Sequence, residues 1–352
     1  MKDPFEPKSA KPKDGGDFYV INGQQYPRVT TILASAPGAH LMPWYAKEAS
    51  LLCASLAYYA TGDEPDDAAV LEHRAKRAPY AVSKDDALGQ LKNWASNMRE
   101  AERYRDYRAW IGSTMHHAIY EYVLGLSIPD TDMIEYLTGA AEKLALVPEQ
   151  ALERFNSLGV DIYRNIAFDA KPYFEAVRWF VDAVEPVFLM NGLETCVYCP
   201  DEMYAGTADM VIEIDRGKWT RAGYGDLPVD KIAALGDWKS SKSISKSVGY
   251  QMAAYAKAPL IHLMQTGEDL PMPEVDALIA LHVTPSNAER PVDAHLWGAW
   301  GNPNPIEAHF EAFINLNAFY RSNSGLPRAE RSRAAKPKVE PKPKVGARTC
   351  PI

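Results

Sequence analysis

In the stretch LGDWKSSKS, Leu235 to Ser243, a short apolar run ends in a carboxylate and an ammonium two residues apart, Asp237 and Lys239. On a strand, residues i and i+2 point the same way, so the two charges would share one site. A second acid, Asp209, follows YAGTA on the preceding strand-like segment. Two acids on adjacent strands can share a divalent cation through hard oxygen ligands of the kind Mg²⁺ prefers, and a lysine beside them can orient or deprotonate a water. Such a set suits metal-assisted hydrolysis of a phosphodiester. Alone, an Asp-x-Lys tripeptide reads as a surface pair contributing about 0–1 kcal/mol. Its weight comes from what accompanies it.

The accompaniment is ordered along the chain. Gly112 and His116 stand at helical spacing in IGSTMHHAIYEY. Gly206 precedes Asp209 in GTAD, and Gln251 and Tyr255 share a helical face after Lys239. The set G-x-x-x-H, G-x-x-D, D-x-K, Q-x-x-x-Y spans about 112–285. It resembles the PD-(D/E)XK nuclease superfamily in its RecB-like branch, which includes the CRISPR-associated RecB-like exonucleases and many bacteriophage recombination exonucleases. Each motif is weak singly, and four in order on suitable elements are specific together. YPRVTTIL (26–33) followed by LMPWYAKEA (41–49) also resembles the N-terminal region of phage-encoded members.

The resemblance implies a restriction-endonuclease-like core of the α/β (α+β) class: a mixed central sheet flanked by helices, extended by an N-terminal helical region that shapes a DNA channel. It implies a metal-dependent DNA exonuclease of recombination, repair or phage DNA processing. Asp209 and Asp237 would hold Mg²⁺ or Mn²⁺, with the backbone carbonyl of Trp238 completing the shell. Lys239 would activate water. His116 would add a helix-borne ligand that favours Mn²⁺ alongside Mg²⁺. Gln251 and Tyr255 would line the cleft, and Gly206 and Gly112 would permit close backbone approach. Many relatives carry an acid four residues after the motif histidine; here that position is Tyr120, and Glu121 instead shares a face with His117. Either His117 is the motif histidine or Glu121 has only a supporting part. Glu194 is open as a further acid near the metal or a surface residue.

Some relatives bind an iron–sulfur cluster through four cysteines. Here Cys196 and Cys199 precede the acids, three apart on an expected strand where they face opposite sides, and Cys350 lies in the C-terminal tail. The spacing argues for buried thiols instead. With Cys53, the four cysteines are too scattered for a disulfide framework.

These residues need elements to position them. The sequence predicts helices over 41–60, 85–110, 113–125 and 171–189, the last with Phe174, Val177, Val181 and Val184 in one buried stripe. It predicts strands over 194–200, 206–215, 233–239 and 276–285, and a helix over 246–264. The polar segment 216–231 reads as a hairpin excursion. The run SSKSISKS (240–247) could meet phosphates or cap a helix.

With 352 residues, 47% apolar and 24% charged, the chain supports one elaborated domain over 17–326. Residues 1–16 and 327–352 are rich in Pro and Lys without hydrophobic period and read as disordered tails. The C-terminal tail has eight Lys or Arg against two Glu, a balance of +6, so the remainder carries −14 of the total −8. That lowers the expectation of nucleic-acid binding without excluding a local basic groove. The sequence contains no basic-plus-apolar leader and no window near the roughly 18–20 apolar residues of a membrane span. The expected setting is the cytoplasm of a bacterial cell, with a phage-encoded origin among the expectations. The expected partners are DNA and a recombination protein such as a single-strand annealing protein. The alternatives are an endonuclease of the same superfamily or a non-catalytic DNA-binding or recruiting protein on a nuclease-like fold.

Overall fold

The computed structural model describes residues 17–35, 94–125, 132–157, 159–189, 193–241, 243–263, 266–287, 289–301 and 303–324. The expected helix over 41–60, residues 85–93, both tails, Cys53 and Cys350 lie outside the described residues.

The architecture is mixed α and β. A five-stranded sheet runs in the order β11 (Val292–Gly298), β10 (Ala277–Val283), β7 (Lys231–Lys239), β6 (Met210–Asp215), β3 (Val187–Phe188). Its β7–β10 pair is parallel and its other pairs are antiparallel, so the sheet is mixed. A four-stranded antiparallel sheet runs β5 (Tyr204–Ala208), β4 (Thr195–Cys199), β8 (Leu260–Leu263), β9 (Glu268–Pro271). A hairpin of β1 (Phe18–Ile21) and β2 (Gln24–Pro27) joins this second sheet through a parallel bridge from Arg28 to Ala205.

Helices cover the five-stranded sheet on both faces. On one face lie α2 (Trp94–Val123), α3 (Met133–Lys143) and α5 (Ile162–Val184), and α4 (Glu149–Ser157) adds Phe155 to the same core. That core takes Met210, Ile212 and Ile214 from β6 and Ala234 and Trp238 from β7. The opposite face offers Leu235, Leu278 and Ala280 to α7 (Lys246–Ala256), α8 (Pro305–Asn323) and the short α1 (Val29–Ala34), with the second sheet beyond. The period-two alternation of β7 therefore turns Trp238 into the first core, against the Phe180 ring at 5.6 Å, and turns Asp237 and Lys239 with Leu235 toward the second.

Several expectations are corrected. The segments expected at 85–110 and 113–125 are, from Trp94 to Val123, one continuous α2 that ends two residues short of the expected boundary. The helix expected at 171–189 starts at Ile162, tolerates Pro172, and stops at Glu185, whose left-handed φ of 45° ends it; of its stripe, Phe174, Val177 and Val184 are buried and Val181 is half-buried. The helix expected to 264 ends at Ala256, and Leu260–Leu263 forms β8. Pro259 explains the stop, because the residue before a proline avoids helical geometry. Segment 206–215 is two strands in different sheets, not one. The excursion 216–231 does join an antiparallel pair, and it carries a short helix, α6 (Arg216–Arg221), with Trp219 buried.

Candidate metal centre

Asp209 occupies the single residue between β5 and β6, where the chain leaves one sheet and enters the other. Its Oδ2 accepts a hydrogen bond from the Trp238 amide at 2.9 Å, so a side chain continues the ladder that the main chain abandons there. The sequence reading gave Trp238 a carbonyl ligand. The observed contact is through its N–H, which orients the acid.

Glu194 comes to the same point from the turn before β4. Its backbone is left-handed, with φ 45°, and its amide donates to the Asp209 carbonyl at 3.0 Å. Left-handed backbone costs a non-glycine residue roughly 1–2 kcal/mol, so the surrounding structure must impose it. His116 arrives from α2, fixed by the buried neighbours Met115 and Ile119. Its Nδ1 lies 3.4 Å from Glu194 Oε1 and 3.6 Å from Asp209 Oδ2. Ligand atoms of His116, Glu194 and Asp209 all fall within 4.8 Å of one another.

Asp237 and Lys239 complete the constellation. Lys239 Nζ stands 2.6 Å from Asp237 Oδ2. The approach is misaligned for a hydrogen bond, and this oxygen, although buried, receives none. Burial pushes the Asp237 carboxyl up to about 7, the neighbouring Asp209 charge pushes the same way, and Lys239 only partly opposes them. Asp209 is raised by burial too, against the pull of His116. For His116, burial acts downward, but the charges of Asp209 and Glu194 prevail and hold the imidazole up to about 9. Lys239 is likewise held above its ordinary value by Asp237 and Asp209 despite its burial. Three carboxylates thus converge on two basic groups.

A donor set of one imidazole and several carboxylates fits a hard or borderline divalent cation, Mg²⁺ or Mn²⁺. The surplus of acid over base, with Asp237 buried and raised, fits such an ion as well. His116, Glu194 and Asp209 are the residues that could hold it, with Asp237 in electrostatic reach.

Gln251 and Tyr255 share the face of α7 that their spacing predicts. Gln251 Nε2 donates to the Tyr255 hydroxyl at 3.2 Å. Burial raises the Tyr255 phenol well above its ordinary value, with contributions from Tyr19, Asp237 and Asp209, which puts it beside the acids. Gly206 makes room for its ring: a Cβ there would come within 2.2 Å of Tyr255 Cε1. Gly112 needs no such freedom among the described residues, where a Cβ would meet Ser240 Oγ at 3.8 Å, an ordinary contact.

Glu121 does not join the cluster. Its carboxylate accepts from Tyr136 Oη at 2.5 Å and Lys143 Nζ at 3.3 Å, and His117 Nε2 stands 3.3 Å away in an electrostatic contact too poorly aligned for a hydrogen bond. Of the two histidines, His116 faces the acids. Cys196 and Cys199 are buried on opposite faces of β4, and burial pushes the Cys196 thiol up to about 12. In the serine run, Ser245 stands at the start of α7 but its hydroxyl pairs with that of Ser247 at 2.6 Å instead of capping the helix.

Of the residues beside the site, Tyr19 draws no attention in the sequence and Glu194 is left open. Tyr19 bonds Thr207 through its hydroxyl at 2.8 Å, and Glu194 was weighed equally as a surface acid. Neither belongs to a spacing pattern, because turns and an N-terminal hairpin deliver them. No helix among the described residues is long and apolar enough to cross a membrane. No family model matches the chain, and no curated protein is similar to it.

Proposed function

We propose that the chain is a metal-dependent deoxyribonuclease of the PD-(D/E)XK type, on a restriction-endonuclease-like core, and that it acts as an exonuclease in recombination, repair or phage DNA processing. The observation that carries the reading is the convergence of Asp209, Asp237, Glu194, His116 and Lys239 from four separate elements at the junction of two sheets. Acids gathered against their own repulsion cost stability, and a structural ion pair does not need a third and fourth partner.

A bound Mg²⁺ or Mn²⁺ would supply charge stabilisation and a more acidic water. His116, Glu194 and Asp209 would hold the ion, with Asp237 facing it. The Trp238 amide fixes the rotamer of Asp209, so the carboxylate is pre-oriented. Lys239, cationic and tethered to Asp237, steers the attacking oxygen and offsets charge developing on the phosphate. Tyr255 and Gln251 form a wall beside the acids, suited to positioning the strand.

A gel assay of wild type and Lys239→Ala on linear duplex, circular single-stranded and circular duplex DNA, with Mg²⁺, Mn²⁺ or chelator, tests the reading. Metal-dependent loss of linear DNA alone, absent in the variant, supports it. Cutting of circles makes the protein an endonuclease. Absence of all cutting favours the non-catalytic DNA-binding alternative, which predicts that removing residues 327–352 abolishes most salt-sensitive affinity.

A further inference from the structure

The outer strand of the five-stranded sheet borders a cleft that the metal centre does not use. By strand register, Lys239 in β7 lies beside His282 in β10, and His282 lies beside Asp293 in β11. Registered partners share a face, so Asp293 and, two residues on, His295 stand on the sheet face of the metal centre, two strand spacings or roughly 10 Å from Lys239. They line a cavity of about 440 Å³ together with Tyr224 and Arg290. Small-molecule sites have volumes of this order.

The lining is held in place by the protein itself. Gly223 and Gly225, with φ of 84° and 86°, take a backbone conformation that side chains rarely allow and present Tyr224 between them. The Tyr224 ring stacks on Trp219 at 4.5 Å, and its hydroxyl donates to the Val292 carbonyl at 2.7 Å. The Arg290 guanidinium lies over that ring, 5.5 Å from its centre. It donates from Nη1 to the Gly223 carbonyl at 2.9 Å and from Nη2 to Asp293 Oδ1 at 3.2 Å. His295 is exposed and stacks against Trp297, with 26° between the ring planes.

This lining selects among ligands. The Nη donors of Arg290 are taken by Gly223 and Asp293, and Asp293 adds a negative charge, so the cleft is a poor seat for a phosphate. A planar heteroaromatic ring suits it better, because guanidinium planes and imidazoles are surfaces on which nucleobases stack. An ionised Asp293 only accepts hydrogen bonds, and each of its oxygens can take more than one. Among the common bases, guanine alone offers two neighbouring donors, its ring imino N–H and its exocyclic amino group, that match the two oxygens of one carboxylate.

We infer that this cleft binds a guanine base, held by stacking against Arg290 and His295 and by hydrogen bonds to Asp293. Two sources share that chemistry: a guanine in the strand whose neighbouring phosphate reaches the metal centre, or a free guanine nucleotide. The strand source rests on the nuclease reading, whereas recognition of the base stands apart from it. Asp293 and His295 set which base is preferred and take no part in the reaction.

The test uses the full chain in chelator. Fluorescence anisotropy follows equal-length oligonucleotides that carry guanine, hypoxanthine or adenine at a single varied position, and calorimetry follows deoxyguanosine and deoxyinosine monophosphates. Wild type should prefer guanine over hypoxanthine, which lacks the exocyclic amino group, by at least about fivefold. Asp293→Asn should abolish that preference. His295→Ala should weaken guanine and hypoxanthine ligands alike, by about tenfold, because it removes a stacking surface and leaves the acid in place. A preference confined to oligonucleotides assigns a base of the strand, and the same preference among the monophosphates assigns a free nucleotide. A wild type that binds neither class, or binds guanine and hypoxanthine equally, overturns the inference. An Asp293→Asn variant that melts lower yet keeps the guanine preference overturns it too, and makes the acid a partner of Arg290 alone. None of these readouts needs cleavage: an inactive wild type that still prefers guanine would sink the nuclease reading alone, and an active one without the preference would sink only this inference.

Discussion

Two adjacent histidines on one helix meet opposite fates. His117 joins a closed network in which a single carboxylate, Glu121, is met by Tyr136, Lys143 and the imidazole. These contacts, His117 first, hold the Glu121 carboxyl down at about 2, so the acid is ionised and satisfied. One residue earlier, His116 enters an open network in which Glu194, Asp209 and Asp237 outnumber the basic groups, and burial drives Asp237 up to about 7. The first arrangement resolves its own electrostatics and braces α2 against α3. The second does not, and its surplus of acid is what the proposed metal-dependent reading draws on.

The contrast can be broken most severely at Asp237. Asp237→Asn should reduce metal-dependent cleavage by about 10²–10³-fold or more, measured as initial rates on linear duplex. The same variant should melt no lower than wild type in chelator, because a buried, raised carboxyl has been neutralised. Substantial activity in Asp237→Asn would remove the acid from the mechanism.

The histidines then sharpen it. His116→Ala should weaken Mn²⁺ binding, followed by calorimetry, by at least about tenfold. Glu121→Gln should leave Mn²⁺ affinity unchanged and lower stability by about 1–3 kcal/mol in urea titration, because Tyr136, Lys143 and His117 lose the negative charge they face. Equal effects of both variants on metal affinity would erase the distinction.

Proton linkage gives a smaller, graded effect. Asp237 has a folded value raised to about 7, so its contribution favours the folded state at low pH and fades as pH rises from about 4 through 7. His116, raised to about 9, contributes stability fully present below about 6.5 and lost as pH climbs through 9. Both slopes have the same sign. The chelated protein should therefore melt at progressively lower temperature from pH 4 to 9 as far as this site contributes, and Mn²⁺ should stabilise it more at pH 8 than at pH 6 by displacing those protons. Loss of the site's pH slope in a His116→Ala, Asp237→Asn double variant checks the assignment.

The gentlest test concerns packing. Gly206→Ala would drive a methyl into the Tyr255 ring and should cost about 1–3 kcal/mol, with Tyr255→Ala restoring room in the double variant. A simple sum of the two single effects would show that the glycine is not there for the tyrosine.

Residue type and spacing were enough to find the strand that pairs Asp237 with Lys239, since period two puts both on one face whatever surrounds them. They likewise put Gln251 with Tyr255 on one helical face, and the family resemblance, not the spacing, joined His116 to Asp209 over a long separation. What they left open required three dimensions. Whether His116 or His117 faces the acids depends on the rotation of α2, which is set by Met115 and Ile119 packing into the core. Glu194 joins through a left-handed turn held by the Asp209 carbonyl, and no local pattern encodes that bond. Asp209 itself lies in a run that reads as one strand, and only the pairing of β5 with β4 and of β6 with β7 splits it between sheets. Local periodicity determined which residues could act together. Long-range packing decided which of them meet, because burial and strand pairing are properties of the assembled core and not of any one segment.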